Sequence, residues 1–274
     1  MTSFKKKFQQ KSSLSQVFLT TDWPCLELAS LLKKKNVDKV VEVGPGKGVL
    51  TKVLLQNDIS VHALELDKRL KPYLDGIKEE YKSCGFEVTF KSALDFDLLS
   101  WAKSQLVKPC VCGNIPYNIS SQILLWSIAA LDYLSGAFFL VQKEFAERLA
   151  ASPSSKSYGS LSVYVQLRAS VTYQYTVEKD CFTPVPKVDS AIVSLEPLIK
   201  KESQEVLDCV EKITRLAFQQ RRKKLSNSLS KMLDGLDSFK PPVDLTRRCD
   251  SLSPSEYVSL AKEFLLCAQK KSSF

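Results

Sequence analysis

Between residues 39 and 151, short runs of Val, Ile, Leu and Phe alternate with longer segments of helical spacing. That alternation is the tightest constraint in the chain. Strands separated by helices cannot pair through tight hairpins, so they lie parallel, with the helices packed over the sheet. The expected strands are 39–43, 59–64, 86–90, 109–113 and 136–142. The expected helices are 49–56, 69–82, 98–106, 122–133 and 143–151, preceded by one from about residue 22 to 35 with Asp22 as its cap and Pro24 in its first turn. After a small-polar loop at 152–159, a short helix opens at Ser160, and 169–177 alternates as a strand does. A turn at 181–187 and a last strand at 188–196 follow, with an antiparallel pair expected at one sheet edge.

Beyond residue 197 the pattern is helical only. Val206, Val210, Ile213, Leu216 and Ala217 recur at helical spacing, as do Leu225, Leu229, Met232 and Leu233. Ser253-Pro254-Ser255-Glu256 has the form of a capping box with Pro at the first helical position. The expected organisation is a basic arm and lid at 1–21, an α/β domain at 22–197 and a small all-α domain at 198–274.

Charge and cysteine usage narrow the chemistry. The 274 residues carry a net charge of +9, which favours phosphate-rich partners. Lys5, Lys6, Lys7 and Lys11, interleaved with Phe4 and Phe8, suit a nucleic-acid contact. The eight cysteines are scattered and His62 is the lone histidine, so no metal site is expected. A histidine-dependent hydrolase would have to use His62, which sits in an apolar strand pattern. No apolar run approaches the roughly 18 residues of a membrane span. A cytoplasmic protein with reduced thiols is expected.

Two turns at strand ends carry the chemistry. Gly44-Pro45-Gly46-Lys47-Gly48 follows a strand and opens a helix, which lets backbone approach a ligand closely. Glu65, at the end of the next strand, is placed to accept from both hydroxyls of a ribose. Nicotinamide enzymes and S-adenosylmethionine-dependent methyltransferases share that arrangement. The second turn, Cys112-Gly113-Asn114-Ile115-Pro116-Tyr117-Asn118-Ile119-Ser120-Ser121, decides between them. The Asn114 oxygen and a neighbouring carbonyl can accept the hydrogens of an exocyclic amine, and the Tyr117 ring can stack on the base that bears it. A hydride-transfer site would need a proton relay instead. Methyl transfer to a base nitrogen is the expected reaction.

These residues resemble the ribosomal RNA adenine N6-dimethyltransferases over nearly the whole chain. The resemblance rests on the glycine turn running from Val41 to Thr51, on Glu65, and on Asn114-Ile115-Pro116-Tyr117-Asn118-Ile119-Ser120. It rests also on Phe182-Thr183-Pro184-Val185-Pro186-Lys187-Val188-Asp189-Ser190 and on Ala217-Phe218-Gln219-Gln220-Arg221-Arg222-Lys223-Lys224-Leu225. It implies a Rossmann-like S-adenosylmethionine-dependent methyltransferase sheet with a small C-terminal all-α domain. It implies cofactor contacts at Val17, Leu19, Gly44, Gly46, Glu65, Ser92 and Asn114. The catalytic set would be Asn114, Ile115, Pro116, Tyr117 and Phe182, with Tyr117 and Phe182 sandwiching the adenine. Arg221, Arg222, Lys223 and Lys224, and more weakly Lys187 and Lys5 to Lys7, would contact RNA phosphates. The implied substrate is two adjacent adenosines in the 3′-terminal hairpin of small-subunit RNA, in an immature small subunit, met by a monomeric enzyme. Relatives that modify large-subunit RNA have nearly the same catalytic loop; the helical tail with Gln220-Arg221-Arg222-Lys223 leans toward the small subunit. Ser15 and Val17 stand where the family usually has Gly and Asn, and Ser92 stands where it has Asp.

Overall fold

A computed structural model describes residues 17–234, 236 and 239–272. The basic residues Lys5, Lys6, Lys7 and Lys11, and Ser15, lie outside the described residues. Nine strands and eleven α-helices are described, in this order: β1 (Phe18–Leu19), α1 (Trp23–Lys34), β2 (Lys39–Val43), α2 (Val49–Gln56), β3 (Ser60–Leu64), α3 (Lys71–Glu80), β4 (Phe86–Thr89) and α4 (Leu98–Lys103). Then come β5 (Cys110–Asn114), α5 (Ser120–Ala130), β6 (Gly136–Gln142), α6 (Lys143–Leu149), α7 (Ser160–Gln166), β7 (Ala169–Val177), β8 (Phe182–Thr183) and β9 (Ser190–Pro197). The helical tail holds α8 (Gln204–Gln219), α9 (Leu225–Ser228), α10 (Ser230–Leu233) and α11 (Pro254–Ser272).

Seven strands form one sheet in the order β4-β3-β2-β5-β6-β9-β7. The pairs β2–β3, β3–β4, β2–β5 and β5–β6 are parallel, with Val41 set between His62 and Val111. Central strand β2 is buried from Val40 to Val43, as a strand covered on both faces must be. Leu28, Leu32, Leu54, Leu55, Val61 and Leu74 form the core on one side. The chain runs outward from β2 through β3 to β4, then returns to place β5 on the other flank of β2. Strand order therefore reverses between β2 and β5. A crevice opens at such a reversal, beyond the carboxyl ends of the two strands. Both ends carry the turns singled out above: Gly44 follows β2 and Asn114 ends β5.

The packing units do not follow the chain-order boundary expected at 197/198. One unit comprises the chain up to Lys143 with Gln174–Ser194; the other comprises Glu144–Tyr173 with Leu195–Phe274. The reason is the core of the second unit. Ala151, Tyr158 and Val163 pack with Val210, Ile213, Ala217, Leu252 and Tyr257. Tyr158 is fully buried there, and its hydroxyl donates to the Leu252 carbonyl at 2.8 Å. The expected capping box closes reciprocally at the start of α11: Glu256 N–H donates to Ser253 Oγ at 3.2 Å, and Ser253 N–H donates to Glu256 Oε2 at 2.7 Å.

Candidate functional site

The crevice at the strand reversal is a cleft of about 210 Å³ lined by five segments of chain. Val43 to Lys47 form its floor. Glu65, Leu66, Ser92 and Ala93 form one wall, and Asn114, Ile115 and Pro116 form the other. Gly44 and Gly46 have φ of +68° and +59°, the left-handed region that glycine enters without strain. Gly46 is also tight: an added Cβ would stand 3.0 Å from the Phe18 ring.

Phe18 belongs to a roof that periodicity could not reveal. β1 pairs antiparallel with β8, matching Phe18 to Thr183 and Leu19 to Phe182. Thr20 N–H extends the pairing to the Cys181 carbonyl at 2.9 Å. Val17, Phe18 and Leu19 all face the cleft. The Lys47 ammonium lies 5.0 Å from the Phe18 ring centroid, so the roof carries a cation–π contact. Val17 reaches the opposite wall, where its carbonyl accepts from Asn114 Nδ2 at 3.3 Å. The amide group of Asn114 is thereby oriented, with its oxygen as the remaining polar end.

Glu65 is buried with both oxygens engaged: Gly46 N–H donates to Oε2 at 3.1 Å and Asp67 N–H to Oε1 at 2.8 Å. Burial raises its pKa, while those two backbone donors oppose the rise. Ser92 lines the cleft, and its Oγ accepts from Leu94 N–H at 3.3 Å. A buried carboxylate, two left-handed glycines with Gly46 under the Phe18 ring, and apolar Leu66, Ala93 and Ile115 fit a nucleoside with a free ribose edge.

Glu42 is the residue that sequence reasoning passed over. It is buried in mid-sheet, lines the cleft, and its Oε2 accepts from the Thr51 hydroxyl at 2.6 Å. The signal was present: it is the lone acid in a strand that is apolar at every other position after Lys39. Burial pushes its pKa up to about 8, Thr51 holds it back, and the Glu65 charge adds to the rise. The folded chain thus holds a proton that the unfolded chain releases. The stability this supplies is complete below the ordinary value of 4.5 and is lost as pH rises through about 8. Between pH 5 and pH 9, urea unfolding should show the wild type losing roughly 2–4 kcal/mol more than Glu42→Gln. Parallel profiles would contradict this. A cationic ligand would draw Glu42 back toward the carboxylate.

The other expected residues divide. Tyr117 is half-buried in the turn Tyr117–Ile119, next to the cleft wall but outside its lining, and its hydroxyl lies 2.9 Å from Ser190 Oγ. Phe182 is not brought to the cleft. It is 1 % exposed, packed among Leu140, Val177, Cys181 and Ile192. A ring so enclosed anchors its loop and presents no open face to a base. Lys187 is exposed in the loop before β9. In the second unit, the basic run is a turn rather than a helix face, because α8 stops at Gln219. Arg221 is engaged by its own unit: it donates to Asp250 Oδ2 at 3.2 Å and to the Ser155 and Lys156 carbonyls at 3.1 Å. Arg222, Lys223 and Lys224 are exposed.

Comparison with known proteins gives a consistent picture. Residues 7–265 match the family model described as ribosomal RNA adenine dimethylase. A curated relative from Francisella tularensis subsp. tularensis, named ribosomal RNA small subunit methyltransferase A, is 37% identical over 257 residues, covering 93% of this chain and 97% of its own. A relative of the same name from Nitrosospira multiformis is 36% identical over 252 residues, covering 91% and 94%. Among solved structures, a dimethyladenosine transferase from Plasmodium falciparum superposes with a TM-score of 0.74 at 23% identity, covering 92% of this chain and 98% of that one. The 23S rRNA methyltransferase ErmE gives 0.69 at 23% identity, covering 90% and 99%. These two structures share the fold.

Proposed function

The chain belongs to the ribosomal RNA adenine dimethylase family, and from that premise we propose how its cleft and basic surfaces divide the work. The protein is an S-adenosylmethionine-dependent enzyme that dimethylates adenine at N6 in small-subunit ribosomal RNA. When bound, the cofactor supplies an electrophilic sulfonium methyl group. The observation that carries the site assignment is Asn114, held by the Val17 carbonyl in the wall across from Glu65.

Glu65 accepts from the cofactor's ribose hydroxyls, and the Gly44 and Gly46 backbone lies against it under the Phe18 roof, with Val17 and Leu19 completing that roof. Ser92 offers a hydroxyl to the adenine end in place of a charged group. The target N6 is a poor nucleophile because its lone pair is delocalised into the ring. Asn114 Oδ1 and the Ile115 carbonyl accept its two hydrogens, which favours the positive charge that grows on nitrogen in the transition state. Pro116 fixes the backbone between them and the stacking ring of Tyr117. Alignment, rather than a strong base, supplies most of the rate. After one transfer the amine keeps a hydrogen for the second acceptor, and the released proton passes to water. Phe182 holds the loop that faces the base.

Arg222, Lys223, Lys224 and Lys187 contact RNA phosphates, and Arg221 braces the 152–157 loop. Two adjacent adenosines in the 3′-terminal hairpin of an immature small subunit are the target, met by a cytoplasmic monomer. No helix among the described residues is long and apolar enough to cross a membrane. Arg222→Ala with Lys223→Ala should weaken RNA binding evenly across sequences and lower the salt slope of log K by about 2, read by fluorescence anisotropy. Arg221→Ala should instead lower unfolding free energy by about 1 kcal/mol, since it removes a partly exposed ion pair and two hydrogen bonds to loop carbonyls.

The deciding experiment is transfer of labelled methyl groups from S-adenosylmethionine to purified small and large ribosomal subunits, followed by nucleoside mass spectrometry. Label should appear as N6,N6-dimethyladenosine in the small-subunit RNA. Label confined to the large subunit, or to another nucleoside, would overturn the reading.

A further inference from the structure

Tyr117 and Ser190 come from distant parts of the chain, and their hydroxyl oxygens lie 2.9 Å apart. The two are unequal partners. Ser190 opens β9, is completely buried, and precedes a run buried from Ala191 to Leu195. Its preceding residue is tied twice: the Asp189 carbonyl accepts from Lys143 N–H at 3.0 Å, and Asp189 Oδ1 accepts from Lys179 N–H at 3.2 Å. Ser190 is therefore a fixed point. Tyr117 sits in a one-turn 3₁₀ segment that has no side-chain cap. Its ring is half-buried, so more than one χ1 well is open to it, and a bond at its far end selects among them.

We infer that Ser190 is a positioning residue for methyl transfer: its hydroxyl anchors the far end of the Tyr117 side chain, and so the place of the ring on which the target adenine stacks beside Asn114. The inference rests on the stacking role assigned to Tyr117 above. Ser190 touches neither adenine nor cofactor; it acts through the phenol oxygen. It also ties the turn after β5 to the segment that ends at Asp189. A ring free to pivot still binds the base but holds N6 in line with the methyl group for a smaller fraction of the time. The loss therefore falls on kcat and leaves substrate affinity largely intact.

A double-mutant cycle tests this under single-turnover and steady-state methyl transfer to small subunits. Tyr117→Phe and Ser190→Ala should each lower kcat by about fivefold, the range of one neutral hydrogen bond. The double variant should be no slower than either single variant, and KM and cofactor Kd should stay within about twofold of wild type. Ser190→Thr, which keeps the hydroxyl, should recover most of the lost rate. A Ser190 hydroxyl that merely satisfies buried polarity would make the two losses multiply, and that result would overturn the inference. So would an unchanged kcat for Tyr117→Phe, which removes the same bond from the accessible side and does not disturb the buried strand. A wild-type protein that transfers no methyl group to small-subunit RNA would instead sink the functional reading itself, so the two failures are separable.

Discussion

Asn114→Ala is expected to lower kcat for methyl transfer by about 10²–10³-fold, with the fold intact and cofactor affinity changed only a few-fold. The size follows from what the side chain does. Asn114 presents an acceptor whose direction is set by the Val17 carbonyl, 3.3 Å from its amide nitrogen. An acceptor oriented in advance stabilises charge in the transition state without reorganising, and alanine replaces it with nothing. Single-turnover transfer with saturating cofactor reads the chemical step, and thermal unfolding controls for stability. A variant that retained more than about a tenth of wild-type kcat would remove Asn114 from the catalytic role.

Gly113→Ala is expected to be the most damaging single methyl group in the sheet. At this position an added Cβ runs into the Val43 carbonyl oxygen of the neighbouring strand, and into Val43 N and the Ile115 side chain at 3.2 Å. Backbone of a central parallel strand cannot yield as a flexible side-chain tip does. Either β5 separates from β2 at its carboxyl end or the strand end tilts. We expect a loss of about 3 kcal/mol or more in urea unfolding. Where the variant still folds, kcat should fall at least as far as Ala at position 114 lowers it, because Asn114 is the next residue. A neutral effect on both measurements would mean that the close approach of the two strands is not as tight as described.

Much of this site was legible because its parts are local in sequence. The strands at 39–43, 136–142 and 169–177 begin and end where their patterns do, since Val- and Phe-rich runs and strict alternation both mark pleated backbone. Two turns at strand ends announced themselves through residue types that backbone geometry demands. What escaped were features made by distant contacts. β1 and β8 have two residues each, too few for any period to show. Phe182 reads identically as a stacking ring or a buried anchor, and only its neighbours decide. The Arg221–Lys224 run has the composition of a solvated surface, yet Arg221 is drawn inward by Asp250 and two loop carbonyls that lie far upstream or downstream. Residues 144–173 look like a continuation of the α/β pattern but join the helical unit, because Tyr158 and Val163 need the apolar faces of α8 and α11.

The roof over the cleft has a consequence for how the protein is born. Phe18 and Leu19 leave the ribosome before the backbone groups they pair with, which belong to Thr183 and Phe182. A nascent chain can lay down β2, β3 and β5 in parallel as they emerge, yet the covering strand has no partner until residue 183 has cleared the exit tunnel. Until then the cleft is roofless, and its glycine turn stays uncovered even where the sheet beneath has formed.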